Sequence, residues 1–196
     1  MRGMRRVGVS RTQTQALRAN PSSPTHIFMD DNTKFIVLRG NSGSGKSGVA
    51  RAVRLAQGEP MAYIEQDCLR RIILKEKDIA GGLNIQLIKE TVLFSLRNSY
   101  HVILEGLLRK KRYEGMFEEL LKLHPSNNHF FYFDVSLEET LKRHQTKINK
   151  DEFGEVEMRD WYKETDLLHC AEEEIIPESN SLEESVKQIL SSAGLK

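Results

Sequence analysis

The stretch Lys34-Phe35-Ile36-Val37-Leu38-Arg39-Gly40-Asn41-Ser42-Gly43-Ser44-Gly45-Lys46-Ser47 decides the fold of this 196-residue chain. It opens with a compact apolar run between polar ends, the pattern of a buried strand. Residues 40–47 then fit G-x-x-x-x-G-K-[ST] without a gap. Gly40, Gly43 and Gly45 allow positive φ, so backbone N–H groups can turn inward. With Asn41, Ser42 and Ser44 between them, they make a nest for phosphate oxygens. A helix expected over 46–57 adds the positive end of its dipole. In such a loop Lys46 reaches the β- and γ-phosphates, and the Ser47 hydroxyl ligates Mg2+. The stretch predicts nucleoside triphosphate binding and leaves open what is done with the nucleotide.

Outward from this loop, short apolar runs alternate with helical patterns. Strands are expected at 61–65, 101–105 and 129–135, with a short fifth at 174–176. Helices are expected over 67–75, 83–98 and 113–123. Two more open at Ser136 and Ser181, each with a glutamate three residues on (Glu139 and Glu184), the signature of a capping box. Strands alternating with helices make an α/β fold with a parallel sheet.

Composition narrows the class. Hydrophobic residues are 39% and charged residues 29%, the balance of a soluble globular protein. Apolar runs such as residues 35–38 fall far short of the ~20 residues that cross a membrane. Two cysteines, Cys68 and Cys170, are too few for a disulfide scaffold and suit a reducing, cytoplasmic compartment. The net charge of +1 is a cancellation. Residues 1–25 hold five arginines and no acid; the 24 basic and 28 acidic residues that remain give a body of −4. The body offers no case for a duplex-DNA binder. Residues 1–30 read as a basic, disordered tail ahead of a domain over 31–196. A start near Met29, a basic arm and a transit peptide are the other readings of that tail.

Three carboxylates fall where predicted strands end, at the sheet edge where open α/β folds bind ligands. Asp67 follows the second strand. It can accept the proton of an acceptor hydroxyl, or simply cap the next helix. Arg70 and Arg71 lie one turn on, facing about 100° apart. Glu105 ends the third strand, and Asp134 ends the fourth. Beyond Glu105 comes Arg109-Lys110-Lys111-Arg112, four cations that suit an anionic acceptor or a solvated loop. Arg143 and Lys147 are four apart and share a helix face. His124, His129 and His144 are scattered and make no metal site.

Strand, phosphate loop, helix, strand and carboxylate, in that order, resemble the P-loop kinase superfamily. That group includes adenylate and gluconate kinases, chloramphenicol phosphotransferase, zeta-type toxins and the kinase half of polynucleotide kinase. The resemblance covers residues 34–191. It implies a three-layer α/β/α fold with five parallel strands in the order 2-3-1-4-5, and ATP with Mg2+ as the bound pair. It implies that Asp67 is base and acceptor ligand, with Arg70 beside it; Asp67-x-x-Arg70 is similar to the spacing in polynucleotide kinases. It makes Glu105, in place of the usual aspartate, the second acidic group around Mg2+, with Asp134 as rival. It sets a lid over 143–162, where Arg143, Lys147 and Arg159 would meet the charge of the transferred group. Arg109 and residues 81–108 would help build the acceptor pocket.

The function expected is phosphoryl transfer from ATP to a hydroxyl of a small molecule. A polynucleotide 5′-hydroxyl kinase and a non-catalytic nucleotide-binding regulator are the alternatives.

Overall fold

Strand β1, Phe35–Gly40, is buried along its whole length, and the alternation of its side chains creates two cores. The structure is a computed structural model that describes residues 32–146 and 154–195; the expected tail and Lys147 lie outside them. Successive strand residues face opposite ways. Phe35 and Val37 therefore join one apolar cluster, and Ile36 and Leu38 join the other. Around β1 stand β2 (Met61–Glu65), β3 (His101–Gly106), β4 (Asn128–Asp134) and β5 (Glu173–Pro177). All pairings are parallel and the order is β2-β3-β1-β4-β5. This is the order the resemblance implied. Buried on both faces, the inner strands read as continuous apolar runs.

The helices cover the two faces. Helix α1 (Lys46–Gln57) buries Val49, Ala50 and Val53, and α6 (Leu182–Ser192) adds Ile189 to the same cluster. On the other face, α2 (Leu83–Arg97) buries Ile88, Val92 and Leu96 at i, i+4 spacing. There α3 (Lys110–Leu123) buries Tyr113, Met116, Phe117 and Leu120. Phe117 meets Phe130 of β4 edge to face, with ring centroids 5.3 Å apart. Two shorter helices complete the described chain, α4 (Leu137–Gln145) and α5 (Glu155–Trp161). No helix among the described residues is long and apolar enough to cross a membrane.

Local expectations are modified in three places. The helix expected over 67–75 is a π-helix, Cys68–Ile73, that buries none of its residues; Ile72 is 78% exposed. Ser181 and Glu184 form the full capping box. At Ser136 only half of the box exists. Its hydroxyl accepts the Glu139 amide, but the Glu139 carboxylate turns to Arg143. The Ser136 amide donates to Glu178 instead. The run 109–112 is no solvated loop; it is the start of α3, with Arg109 as its N-cap.

Arg39 is the largest departure from pattern. It sits in the middle strand, fully buried. Its Nη1 donates to both oxygens of Glu173 at 2.8 and 2.7 Å. Its Nη2 donates to Asp166 Oδ2 at 3.0 Å and Nε to the Leu108 carbonyl at 3.0 Å. The guanidinium also lies 5.9 Å from the centre of the Tyr132 ring. One buried charge thus ties β1 to β5, to the segment before it and to the loop after β3.

Candidate active site

The phosphate loop links β1 to α1, and its glycines adopt the backbone that the pattern requires. Gly43 has φ 83° and Gly45 φ 98°. A Cβ on Gly43 would come within 2.6 Å of the Thr140 carbonyl oxygen and 3.2 Å of Met158. Gly43 therefore needs both its φ and its missing side chain. Gly43→Ala is expected to weaken nucleotide binding at least tenfold and to lower stability by about 1–3 kcal/mol. Titration of a fluorescent ATP analogue checks this; unchanged affinity would refute it. The Lys46 ammonium donates to the Asn41 carbonyl at 2.7 Å and the Ser44 hydroxyl at 3.1 Å, so it lies inside the loop.

Glu105 ends β3 beside this loop, because β3 is β1's neighbour in the sheet. It is 3% exposed. Its Oε1 accepts from Ser47 Oγ at 2.8 Å and from the Tyr63 hydroxyl at 3.1 Å. Burial raises the Glu105 pKa, opposed chiefly by the charge of Lys46. Tyr63 is pushed up as well, by burial and then by Glu105 itself. Tyr63 carried no sequence signal, since its partner lies across the sheet. Asp134 is exposed at the end of β4. Of the two rival carboxylates, Glu105 is the one bonded to Ser47. Among the described residues no group of three His, Cys, Asp or Glu side chains could cage a metal ion. Ser47 with Glu105 is a sparse oxygen pair of the kind Mg2+ accepts when phosphates complete its shell.

Asp67 leaves β2 at the same edge. Its side chain makes no capping bond. Its Oδ1 instead accepts from Arg70 Nη2 at 2.6 Å, and Oδ2 lies 3.8 Å from Arg71. Two cavities meet at this carboxylate. A small one of about 70 Å³ runs along the phosphate loop past Lys46, Ser47 and Glu105. A larger one of about 900 Å³ lies beyond. Ser42, Asp67 and Leu107 line both.

The walls of the larger cavity come from 66–78, 107–112 and 160–166. The expectation that 81–108 would build it holds only at Leu107. Gly81 and Gly82, with the start of α2, line a separate hollow together with Met116 and Glu119 of α3. Two of the larger cavity's lining residues, Gln66 and Asp78, belong to a buried polar network absent from the sequence reading. Gln66 and Asn84 each donate to the Tyr113 hydroxyl, at 2.7 and 2.8 Å, and that hydroxyl donates to Asp78 at 2.7 Å. Gln66 Oε1 also accepts the amide of Leu108, which holds the left-handed φ of 41°.

The expected lid residues are placed differently. Arg143 was expected to face the transferred group. It lies over the β4–β5 side of the loop, donating to Ser44 O at 3.1 Å, Glu139 at 2.8 Å and Glu178 O at 3.0 Å. With Phe133, Val135, Ile176 and Pro177 it lines a hollow of about 230 Å³. Asp67 is on the β2–β3 side, so the sheet order separates the two. Arg159 pairs with Glu155 along α5, exposed, and lines none of these cavities. The segment after α5 is strapped to the loop. Asn41 exchanges two bonds with the Lys163 backbone, at 2.7 and 3.0 Å, and Arg109 donates to Asn41 and to the Trp161 carbonyl.

No protein-family model and no curated protein matches the chain. Solved structures do match. A gluconokinase from Sinorhizobium meliloti 1021 superposes with a TM-score of 0.58 at 19% identity, over 82% of this chain and 91% of that one. The APS kinase of Mycobacterium tuberculosis, solved with AMPPNP and APS, gives 0.60 at 16%, over 81% and 96%. The tunicamycin resistance protein of Deinococcus radiodurans gives 0.55 at 14%, over 84% and 98%. With its sheet order and its strand–loop–helix connection at Gly40–Ser47, the chain has the three-layer α/β/α P-loop fold that these structures share.

Proposed function

We propose that the protein is a kinase that moves the γ-phosphoryl group of ATP to a hydroxyl of a small molecule. The observation that carries this is the position of Asp67, which borders both the phosphate-loop cavity and the 900 Å³ cavity beside it. A carboxylate at such a junction can bind an acceptor hydroxyl within reach of a γ-phosphate. The fold shared with a gluconokinase and an APS kinase supports the same reading.

In this scheme the amides of 40–47 and Lys46 cradle the phosphates. Arg143 and the mixed polar and apolar hollow beside it hold the nucleoside, which gives Arg143 a binding role. Ser47 and Glu105 would hold Mg2+, and the ion supplies neutralisation of phosphate charge. Asp67 accepts the hydroxyl proton as the acceptor oxygen bonds to phosphorus and the bond to ADP breaks. Lys46 stays on the transferred oxygens throughout.

Lys46→Ala tests the nucleotide half. Wild-type protein at ATP·Mg2+ about 100-fold above Kd should gain about 2.7 kcal/mol of stability, and the variant should gain almost none. Stabilisation retained in the variant, measured by thermal unfolding with and without ATP, would sink the assignment. A screen of hydroxylated metabolites and antibiotics for ADP release tests the transfer itself.

A further inference from the structure

The phosphate loop grips α5 and the segment after it at two points. Met158, 2% exposed, packs where Gly43 has no side chain. Asn41 makes the second grip. It is also 2% exposed, and it bonds in two directions. Its carbonyl accepts the Lys46 ammonium at 2.7 Å and the Ser44 amide at 3.3 Å, both inside the loop. Its side chain pairs with the backbone of Lys163 as a neighbouring strand would. Nδ2 donates to the Lys163 carbonyl at 2.7 Å, and Oδ1 accepts the Lys163 N–H at 3.0 Å. Oδ1 also accepts from Arg109, the N-cap of α3, and Arg109 donates in turn to the Trp161 carbonyl. A side-chain amide offers donor and acceptor side by side, which a hydroxyl or carboxylate does not. The G-x-x-x-x-G-K-[ST] pattern admits any residue at 41, so phosphate binding does not account for an asparagine there. Arg109, Trp161, Lys163 and Asp166 all line the larger cavity. Two of its three walls, 107–112 and 160–166, are joined to the phosphate loop through this one side chain.

We infer that Asn41 is a positioning residue that couples the two cavities: a nucleotide on the loop steadies the walls of the larger one. This rests on the nucleotide half of the kinase reading and needs no particular acceptor. Opening the Asn41–Lys163 pair requires the loop and the segment to part. Phosphates held by the loop amides and Lys46 take freedom from the loop, so opening becomes rarer and the walls stiffer. The coupling is reciprocal, so whatever steadies the walls also favours the nucleotide.

The test is amide hydrogen exchange over residues 161–168, followed by mass spectrometry, in wild type and Asn41→Ala. Each protein is measured without ligand and saturated with Mg2+ and a non-hydrolysable ATP analogue, with saturation fixed by calorimetry. The Lys163 amide reports the pair directly, because it donates to Asn41. In wild type the nucleotide should slow exchange at this segment about fivefold or more, the lower bound of ordinary coupling. Asn41→Ala should speed unliganded exchange about 10- to 100-fold, the range for one or two lost hydrogen bonds, and should abolish the slowing by nucleotide. The chain's single tryptophan, Trp161, stands in the same wall. Its emission should respond to nucleotide in wild type and not in the variant. Faster exchange in Asn41→Ala with the nucleotide response intact would show a purely structural role and overturn the inference. Nucleotide binding to wild type with unchanged exchange overturns the inference and leaves the nucleotide reading standing. No heat of nucleotide binding in wild type overturns both. If Asn41→Ala does not fold, Asn41→Asp takes its place: it keeps the shape and Oδ1 and gives up the donor.

Discussion

Asp67→Asn should leave ATP affinity within about twofold of wild type and cut turnover about 10²- to 10⁴-fold, the usual scale for losing a general base. The substitution keeps the size and shape of the side chain and removes its negative charge. Asp67 sits at the edge of the sheet with 39% of its side chain exposed and caps no helix, so folding should be nearly unaffected. Its ion pair with Arg70 is surface-like and contributes little to stability. The effect should therefore appear in kcat, measured by ADP release with an acceptor found by screening. Thermal unfolding should barely move. Turnover within threefold of wild type would remove Asp67 from the chemistry. Loss of ATP binding together with turnover would show a structural role instead.

Arg39→Met should destabilise the protein by about 3–5 kcal/mol, because it leaves Glu173 buried without its cation. The Glu173 side chain is only 1% exposed, and that of Arg39 is not exposed at all. Methionine fills most of the arginine stem, so the loss is electrostatic more than a cavity. For a domain of this size the melting temperature should fall by about 6–20 °C. Arg39→Met combined with Glu173→Leu should recover part of that loss, since removing both charges also removes the unpaired one. A single-variant loss below about 1 kcal/mol would show that water reaches Glu173 and that the pair is not a true buried bridge. Acceptor binding should weaken modestly as well, because Arg39 fixes the Leu108 carbonyl next to Leu107 of the larger cavity.

The comparison of sequence and structure is sharpest at these two residues. The position of Asp67 was legible because it is local: a carboxylate directly after a strand stands at the edge of the sheet wherever that strand lies in it. Arg39 was not, because its partners Asp166 and Glu173 stand 127 and 134 positions away. A basic residue after an apolar run reads as a strand's polar end. Only closure of the sheet around β1 turns it into a buried hub. The same holds for Tyr63 and for the network of Gln66, Asn84 and Tyr113. Each is an ordinary residue until a neighbour from another element arrives.

Arg143 shows a subtler limit. Its helix, its Ser136 cap and its proximity to the phosphate loop all follow from nearby residues. Which side of the loop it faces depends on the placing of β4 and β5 beyond β1, with Glu178 beside it. Helical spacing can say which residues share a face with Arg143, but not what that face meets.

Local sequence specified the glycine-rich loop between β1 and α1, the alternation of strands and helices, and the carboxylates at the strand ends. These rest on φ preferences, side-chain periodicity and capping, which act over a few residues. Tertiary structure alone decided the pairing of Glu105 with Ser47, the burial of Arg39, the side of the loop that Arg143 takes, and the basic cavity opening beside Asp67. Those depend on which distant segments the sheet order brings within hydrogen-bond reach. Charge and hydrogen bonding act across space at a few ångströms, and separation along the chain does not encode that distance.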